Sequence, residues 1–528
     1  MLELGAIDGP FQFACLAIAI GLLLWDTVEV GRNDAANLVN AVFGARVMQR
    51  RKAIVVAGVA VVCGAVLSSD VIDTARKGIF DPNGLAAMDN ALEAALAIYI
   101  AVYIVDTVLL YSYSAFGMPI STTACLVFEL LGAAVAINVS SVNWDKAGMV
   151  VSAIVFSIVF SGIAAFLIQR AVRGAIRDRT AQLSTLLLHG GWVGGGLAAG
   201  LCYFLMLKGM KNVGWVRQLN HWLDQFNEKV EADVGNLIIA LILWGGFAIL
   251  IHVLLIIFRK RAAKLLFPVL AVLGMIAMGF AFGQNDLANC ASPGLAALTL
   301  LDKQNVEIAT EVPIAWWMLL ICGLLLFAGM TTKNAERVTK AAVSTGSAGD
   351  HVALWAPRWC VTLAGRMLRF RGDAPALAPR RRFTPAGKTL HYDTLRACVI
   401  MSVSASVIAT ASSLGLPVST TYVTFAAVVT TGMADRIFQR GDAELKLGRA
   451  IWVVSSWFIS AAIAAVAAGL VATAIYRLEV VGIAVCIAAN LTVRTLLKRR
   501  ADKHARLVEE EAYERSHPDR FALEDETM

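Results

Sequence analysis

Long blocks of apolar residues alternate with short polar connections along most of the chain. The segments 147–168 and 237–258 are examples, and a typical block has roughly the 18 to 25 residues with which a helix crosses the hydrocarbon core of a bilayer. The pattern therefore predicts spanning helices, about 12–13 of them, since short segments can also form hairpins. The predicted spans are 11–31, 52–70, 92–115, 119–139, 147–169, 190–208, 235–258, 265–289, 313–330, 395–414, 416–434, 450–476 and 478–497.

One long stretch, 331–394, interrupts this pattern. It is basic, contains Pro and Gly, and has no apolar block of spanning length. We interpret it as a loop, within which the segment 359–370 has the pattern of an amphipathic helix that lies on anionic lipid or of a solvated basic segment.

The composition agrees with a membrane protein. Of 528 residues, 58% are hydrophobic and only 16% are charged, too few charges to cover a soluble protein of this size. The sequence predicts an all-α polytopic membrane protein. The nine cysteines occur singly, which indicates neither a zinc site nor a disulfide framework, and we expect no cofactor.

The net charge of +7 does not indicate a nucleic-acid partner, because the basic residues lie in short connections rather than on one face of a soluble domain. They are topology signals, since Lys and Arg are retained on the cytoplasmic side. If every basic cluster is placed inside, the N-terminus lies outside the cytoplasmic membrane, and the 331–394 loop and the C-terminal tail lie inside.

Two motifs each occur twice, in the same order. Gly-x-Asn-Asp-x-x-Asn stands at 31–37 and 283–289, and Pro-x-Ser-Thr-Thr stands at 119–123 and 417–421. Such a recurrence indicates an internal duplication. It divides the chain into a first repeat at 1–180, connecting spans at 181–262, a second repeat at 263–330 and 395–497 around the 331–394 loop, and a tail at 498–528.

The charge-based topology gives the two copies opposite orientations. The first Asn-Asp motif is expected to end a helix that runs inward, and the second to end a helix that runs outward. The fold class predicted is thus two inverted repeats with broken or re-entrant helices. Inverted repeats are typical of secondary transporters, which bind their substrate near the midplane where the halves meet.

The Asn-Asp motifs have the residue types of a cation site. A carboxylate inside a membrane span requires a cation, a proton or a wet cavity, and neighbouring amides supply neutral oxygen ligands. Glycine beside them is expected to let the backbone open and expose carbonyls. The candidate cation ligands are Asn33, Asp34, Asn37, Asn285, Asp286 and Asn289.

The Pro-x-Ser-Thr-Thr turns have the residue types of an anion site. Proline ends one helix, and the next begins with backbone N–H groups and hydroxyl donors that can surround an oxyanion. Alternatively, the serine is only an N-cap. The candidate anion-binding residues are Ser121, Thr122, Thr123, Ser419, Thr420 and Thr421.

At these motifs the chain resembles the PiT family of inorganic phosphate transporters. The resemblance extends to residues 71–79 and to Pro293 after the second motif. It implies that the Asn-Asp motifs carry the coupling cation, that the Ser-Thr-Thr turns bind phosphate, and that the protein is a homodimer.

Some residues depart from the family pattern. Arg32 and Gln284 stand where a small residue is usual, and an acid of the second span is replaced near Val61. Arg32 is a possible modulator, through contact with the oxyanion or through a pair with Asp34. Four further acids in or near spans, for which the sequence shows no partner, are candidates for an ion path: Asp26, Glu29, Asp106 and Glu129.

The function predicted is a symporter that imports inorganic phosphate with sodium. Several oxygen ligands arranged together suit sodium, whereas a proton needs one titratable group; a proton-coupled symporter is the alternative. A permease for sulfate or another oxyanion is a further alternative, because sulfate has the same shape and lacks only the proton that phosphate carries. The duplicated carboxylates argue against a passive channel, and the sequence contains none of the hydrolase, metalloprotease or P-loop patterns of enzymes.

Overall fold

The computed structural model describes residues 7, 9–67, 78–210, 213–230, 234–306, 315–349, 352–369 and 390–516. Most of the 71–79 segment and the end of the 498–528 tail lie outside the described residues. Helices make up the described fold: α1 (Gly9–Gly44), α2 (Arg50–Val66), α3 (Ala91–Ala115), α4 (Thr122–Ile137), α5 (Trp144–Ile176), α6 (Leu183–Cys202), α7 (Gly214–Val230), α8 (Gly235–Lys303), α9 (Trp316–Met330), α10 (Lys333–Thr345), α11 (Arg358–Arg369), α12 (Thr394–Ser413), α13 (Thr420–Ala434) and α14 (Ala443–Ser516).

The predicted all-α polytopic membrane fold is confirmed, because the described part of each predicted span falls wholly or mainly on a helix. The inverted orientation of the two repeats stays a prediction. Seven helices of the described chain are individually long and apolar enough to cross a membrane, and α9 with α10 passes the same test as a pair bent by 66°. The remaining predicted spans fall on shorter helices or on parts of longer ones.

Two very long helices each supply two predicted spans. Arg259 (φ 44°) interrupts α8 and Glu479 (φ 48°) interrupts α14. An unbroken helix of 69 residues would be about 100 Å long, more than three times the hydrocarbon thickness of a bilayer, so a break is required for both arms to cross it.

The lipid-facing surface and the protein interior lie on different helices. α5 and the first arm of α8 expose large apolar side chains, such as Phe156 (68%) and Ile249 (69%). Helix α3, in contrast, is surrounded by protein, with 89% of its most apolar window buried. It therefore lies at the centre of the fold, beside α1, α4, α8 and α14.

Close contacts between helix backbones place α1 and α8 in this centre. A Cβ added to Gly31 would lie 2.0 Å from the carbonyl oxygen of Leu326, and one added to Gly283 would lie 2.2 Å from that of Val61. The expectation that these glycines open the helix is wrong. They allow α9 and α2 to approach, as small residues do between membrane helices, and both Asn-Asp motifs lie inside continuous helices rather than at helix ends.

The 331–394 segment contains two helices. Helix α10 packs against α1 and buries Val338, Ala342 and Val343, so this part of the predicted loop belongs to the protein core. The helix predicted at 359–370 is present as α11. It buries Cys360 and Ala364, packs against α14, and exposes Trp359 and Met367.

The predicted topology can be tested at two exposed positions that small residues occupy. Thr362 lies on α11, and Ala87 lies in a connection that the charge pattern places outside. We expect an impermeant thiol reagent to label Ala87→Cys in intact cells and to label Thr362→Cys only after the cells are lysed. Rapid labelling of Thr362→Cys from outside would contradict the orientation and the inverted relation of the repeats.

Candidate functional site

The two Asn-Asp motifs are buried in the middle of the fold. Asn33, Asp34, Asn285 and Asp286 have no exposed surface, and Asn37 has 4%. Because the polar side chains lie on continuous helices, their positions are fixed by helix packing rather than by flexible loops. Any ion that they bind must approach through neighbouring elements.

The two Ser-Thr-Thr turns break the chain in the same way. Helices α3 and α12 each end one residue before a short bend that contains a glycine with positive φ, Gly117 (66°) and Gly415 (67°). A short extended segment with the proline follows, and α4 and α13 then begin. A positive φ favours glycine, which explains the Gly-x-Pro spacing in both copies.

Both serines cap the new helices. Ser121 Oγ accepts a hydrogen bond from the backbone N–H of Ala124 at 3.0 Å, and Ser419 Oγ accepts one from Tyr422 at 3.1 Å. The capping interpretation is therefore correct for both. The Ser121 side chain also interacts with the hydroxyl group of Tyr422. By helix geometry, the N–H groups of the first turn have no partner within their own helix.

Within each half, the first asparagine of the motif holds the extended segment before the turn. Asn33 Nδ2 donates to the carbonyl of Ile120 at 2.6 Å, and Asn285 Nδ2 donates to that of Val418 at 2.7 Å. The same side chains accept from the N–H groups of the same residues at 3.4 Å. Each asparagine amide thus pairs with backbone groups that helix termination would otherwise leave without partners.

Between the halves, a threonine of the second turn binds the aspartate of the first motif. Thr421 Oγ1 donates to Asp34 Oδ1 at 2.6 Å. Asn37 Nδ2 contacts both partners, Asp34 Oδ1 at 2.8 Å and Thr421 Oγ1 at 2.9 Å. The three side chains form a closed triangle that joins α1 to the start of α13.

The first turn makes similar contacts with the second motif, although the aspartate bonds the first threonine of the turn rather than the second. Thr122 Oγ1 donates to Asp286 Oδ1 at 2.9 Å, and Asn289 Nδ2 donates to the same oxygen at 2.8 Å. Asn289 Nδ2 also reaches Thr123 Oγ1 at 2.8 Å. The structure therefore brings all four predicted segments together at one place, with each turn crossing to the motif of the other half.

Some oxygen atoms at this place lack a hydrogen-bond donor. Among the described residues, Asp34 Oδ2 and Asn289 Oδ1 are buried and have no hydrogen-bond partner. A buried oxygen without a partner costs about 1–3 kcal/mol. One carboxylate oxygen and one amide oxygen are the ligand types that a hard cation such as sodium accepts, so the residues present fit a cation.

Arg32 does not pair with Asp34, so that part of the sequence interpretation is wrong. Its guanidinium binds Glu29, with Nη1 at 2.6 Å from Oε2, and its Nε donates to Thr332 Oγ1 at 3.3 Å. Residues three apart share a helix face, a spacing that could have indicated the Glu29–Arg32 pair. Arg494 Nη2 also donates to Glu29, at 2.6 Å, and no sequence signal pointed to this third member.

The remaining acids of the predicted ion path lie together. Asp26, Asp106 and Glu129 are buried on α1, α3 and α4, and electrostatic interactions connect all three. No sequence signal paired them, because the three residues are separated by tens of positions along the chain.

The fold is shared with a solved structure titled "The sodium-dependent phosphate transporter". The two chains match with a TM-score of 0.62 and 20% sequence identity, over 87% of this chain and 98% of that chain. A protein of Haemophilus influenzae with the name "putative phosphate permease" is 26% identical over 440 residues, which are 82% of this chain and 89% of that protein.

A second relative, from Pyrococcus horikoshii and also named a putative phosphate permease, is 24% identical over 466 residues, 88% of this chain and 97% of that protein. The family model described as "Phosphate transporter family" matches residues 30–343 and 383–485. These residues include both Asn-Asp motifs and both Ser-Thr-Thr turns. The chain is therefore a multi-pass membrane protein that belongs to the phosphate transporter family.

Proposed function

We propose that this protein is a symporter that imports inorganic phosphate across the cytoplasmic membrane, with sodium as the coupling ion. The observation that carries the proposal is the reciprocal contact between the halves, Thr421 with Asp34 and Thr122 with Asp286. These bonds connect residues of the predicted anion site to residues of the predicted cation site. The groups proposed to bind the anion are therefore in direct contact with the groups proposed to bind the cation.

Sodium fits the Asn-Asp motifs because neutral and charged oxygens lie together there. Asp34 Oδ2 and Asn289 Oδ1 have no donor of their own, and Asp34 and Asp286 are close enough to repel each other. A bound cation would relieve both the repulsion and the missing contacts. A proton would neutralise one carboxylate and supply a single hydrogen bond, whereas a cation can be coordinated by several oxygens at once.

Phosphate fits the two helix starts. The N–H groups at the beginning of α4 and α13 and the protons of the Ser121 and Ser419 hydroxyls are donors, and helix N-termini attract anions. Sulfate would find the same donors, but only phosphate brings a proton that a nearby carboxylate oxygen can accept. Phosphate is therefore preferred over other oxyanions.

A basic cavity supplies a path for an anion. It has a volume of about 750 Å³, and Arg32 of α1 and Tyr111 of α3 border it. Basic side chains outnumber acidic ones in its lining, which contains Arg32, Lys333, Arg337, Lys340, Lys498 and Arg506 together with Glu336, Asp502 and Glu509. Such a cavity raises the local concentration of anions, and the charge-based topology assigns it to the cytoplasmic side, where imported phosphate leaves.

The corresponding contacts in the two halves support an inverted-repeat mechanism. Each motif holds the turn of its own half through asparagine and the turn of the opposite half through aspartate. A rocking motion of one half against the other would break the aspartate hydrogen bonds between the halves and keep the asparagine hydrogen bonds within each half. Two such protomers are expected to associate as a homodimer, as the family resemblance implies.

Removal of either motif carboxylate should abolish sodium-dependent uptake. We expect Asp34→Asn and Asp286→Asn to lower the rate of labelled phosphate uptake into proteoliposomes under a sodium gradient by roughly 30-fold or more, because loss of one partner of a buried charge pair costs on the order of 2–5 kcal/mol. Asp145→Asn, at an exposed position, is the matched control. Wild-type uptake that persists without sodium and follows a pH gradient would exclude sodium coupling.

Substitution of the capping serines separates anion binding from helix capping. Ser121→Ala and Ser419→Ala should raise the KM for phosphate by roughly 5- to 150-fold, since a lost buried donor costs about 1–3 kcal/mol. They should also destabilise the protein by about 1 kcal/mol, whereas glycine at the same position keeps nearly all of the cap energy.

Ser121→Gly and Ser419→Gly are therefore the informative controls. If the hydroxyls bind phosphate, the glycine variants keep a nearly wild-type melting temperature in detergent and show the raised KM. A wild-type KM in both glycine variants would mean that the serines are caps and nothing more.

A further inference from the structure

Three buried acids form a cluster outside the duplicated motifs. Asp26 and Glu129 have no exposed surface, and Asp106 has 3%. Asp26 lies eight residues before Asp34 on α1, and Glu129 lies eight residues after Ser121 on α4. Asn33 is hydrogen-bonded to the residue before Ser121, so the motif on α1 and the start of α4 lie side by side. Eight helical residues from either point span about 12 Å. Asp26 and Glu129 therefore lie at a similar distance from the proposed ion site.

Most carboxyl oxygens of this cluster receive no hydrogen bond from an N–H or hydroxyl group of the described residues. This holds for five buried oxygens: both of Asp26, both of Glu129 and Oδ1 of Asp106. Other titratable or charged groups act on the cluster from every packed helix: Glu29 on α1, Tyr103 on α3, Cys125 on α4, Cys290 on α8 and Arg494 on α14. Of these, only Arg494 is a cation.

Arg494 is already bound to other groups. Arg494 binds Glu29 at 2.6 Å and the carbonyl of Thr107 at 3.0 Å, and it acts on Asp26 only at longer range. Carboxylates in a membrane interior require a positive partner or a proton. The cluster therefore requires positive charge that the described side chains do not supply.

The contact between Asp26 and Asp106 indicates that the cluster binds a proton rather than a metal cation. The two carboxyl groups lie close enough to interact directly, and two carboxyl groups can share a hydrogen bond only when one of them carries a proton. The side chains that converge here are acids and a thiol, with Asp106, Cys125 and Glu129 ligand atoms within 4.8 Å of one another. The neutral amide oxygens that favour sodium at the Asn-Asp motifs belong to no member of this group.

We propose that Asp26 and Asp106 share a proton and that, with Glu129, they form a proton-binding site which controls anion binding at the neighbouring Ser-Thr-Thr turn. Cys125, one turn into α4, interacts with this cluster and with Asp34, so it lies between the two sites. The control of phosphate binding rests on the proposed function; the shared proton does not.

The cluster is confined to one half of the chain. At the same offsets in the second repeat stand Met278, Ser404 and Ala427, none of which is ionisable. The proton site is therefore separate from the duplicated machinery. It acts on one of the two turns only, and its chemistry can be removed without altering the residues that the repeats share.

The sign of the effect follows from charge. With the proton bound, the cluster is less negative and favours an anion at the first turn, whereas its loss at higher pH leaves an additional buried negative charge. A unit charge at about 12 Å, at an effective dielectric constant of about 20, changes the binding constant about tenfold. Phosphate affinity should therefore fall as pH rises.

Infrared spectroscopy of the purified protein tests the proton directly. We expect the C=O stretch of a protonated carboxyl group in the wild type at neutral pH and its loss in Asp26→Asn and Asp106→Asn, while Ser404→Ala, at the matched position of the other half, retains it. Glu129→Gln provides a second test if an aspartate variant does not fold. Absence of the band in the wild type, or its loss on addition of sodium at constant pH, would overturn the proton site.

Uptake measurements test the control of binding. The KM for phosphate, corrected for its own ionisation, should rise about tenfold between about pH 6 and pH 9 in the wild type and in Ser404→Ala, and by less than about twofold in Asp26→Asn and Asp106→Asn. An equal pH dependence in all four proteins would refute the control. A carboxyl band in a protein that transports no phosphate would leave the proton site standing and refute the proposed function instead.

Discussion

Buried carboxylates in a membrane protein must find partners within the protein, because lipid supplies neither donors nor counter-ions. Here each aspartate of the repeated motif obtains its hydroxyl donor from the opposite half, Asp34 from Thr421 and Asp286 from Thr122. Neither half is complete alone. The same bonds that satisfy the aspartates hold the two helix starts side by side, so the need to compensate buried charge determines how the halves meet.

This arrangement is possible only if the helices come very close together. Gly31 and Gly283 lie against the carbonyls of Leu326 and Val61 at distances that exclude any Cβ. The motif glycine thus serves helix packing, while the asparagines and aspartate two to six residues later make the hydrogen bonds to the two turns. One short motif can do both because the glycine lies on the helix face that packs against a neighbouring helix. The asparagines and the aspartate lie on the adjacent face, which points to the Ser-Thr-Thr turns.

The elements were predictable from sequence because hydrophobic length is a strong signal in membrane proteins, and each predicted span falls on a helix. The local chemistry of the Ser-Thr-Thr turns was predictable for the same kind of reason: proline, glycine and a capping serine act within a few residues. Helix α10 was not predicted to lie in the core, because most of its residues are polar or basic and only one face is apolar and packs against α1. The position of the motifs within continuous helices was also missed, because glycine permits both opening and close packing.

Long-range pairing was the part that sequence could not supply. Nothing in the chain near Arg494 connects it to Glu29, and Asp26, Asp106 and Glu129 are separated by tens of residues. These groups also distinguish the two halves. The motif contacts are similar in both repeats, whereas the three acids of the cluster all belong to the first. A duplicated scaffold has two equivalent turns, so an ionisable cluster beside only one of them makes the turns electrostatically different. An anion held between them would then experience an electrostatic field that depends on the protonation of the first half, and its affinity would depend on pH even though the two turns have similar contacts.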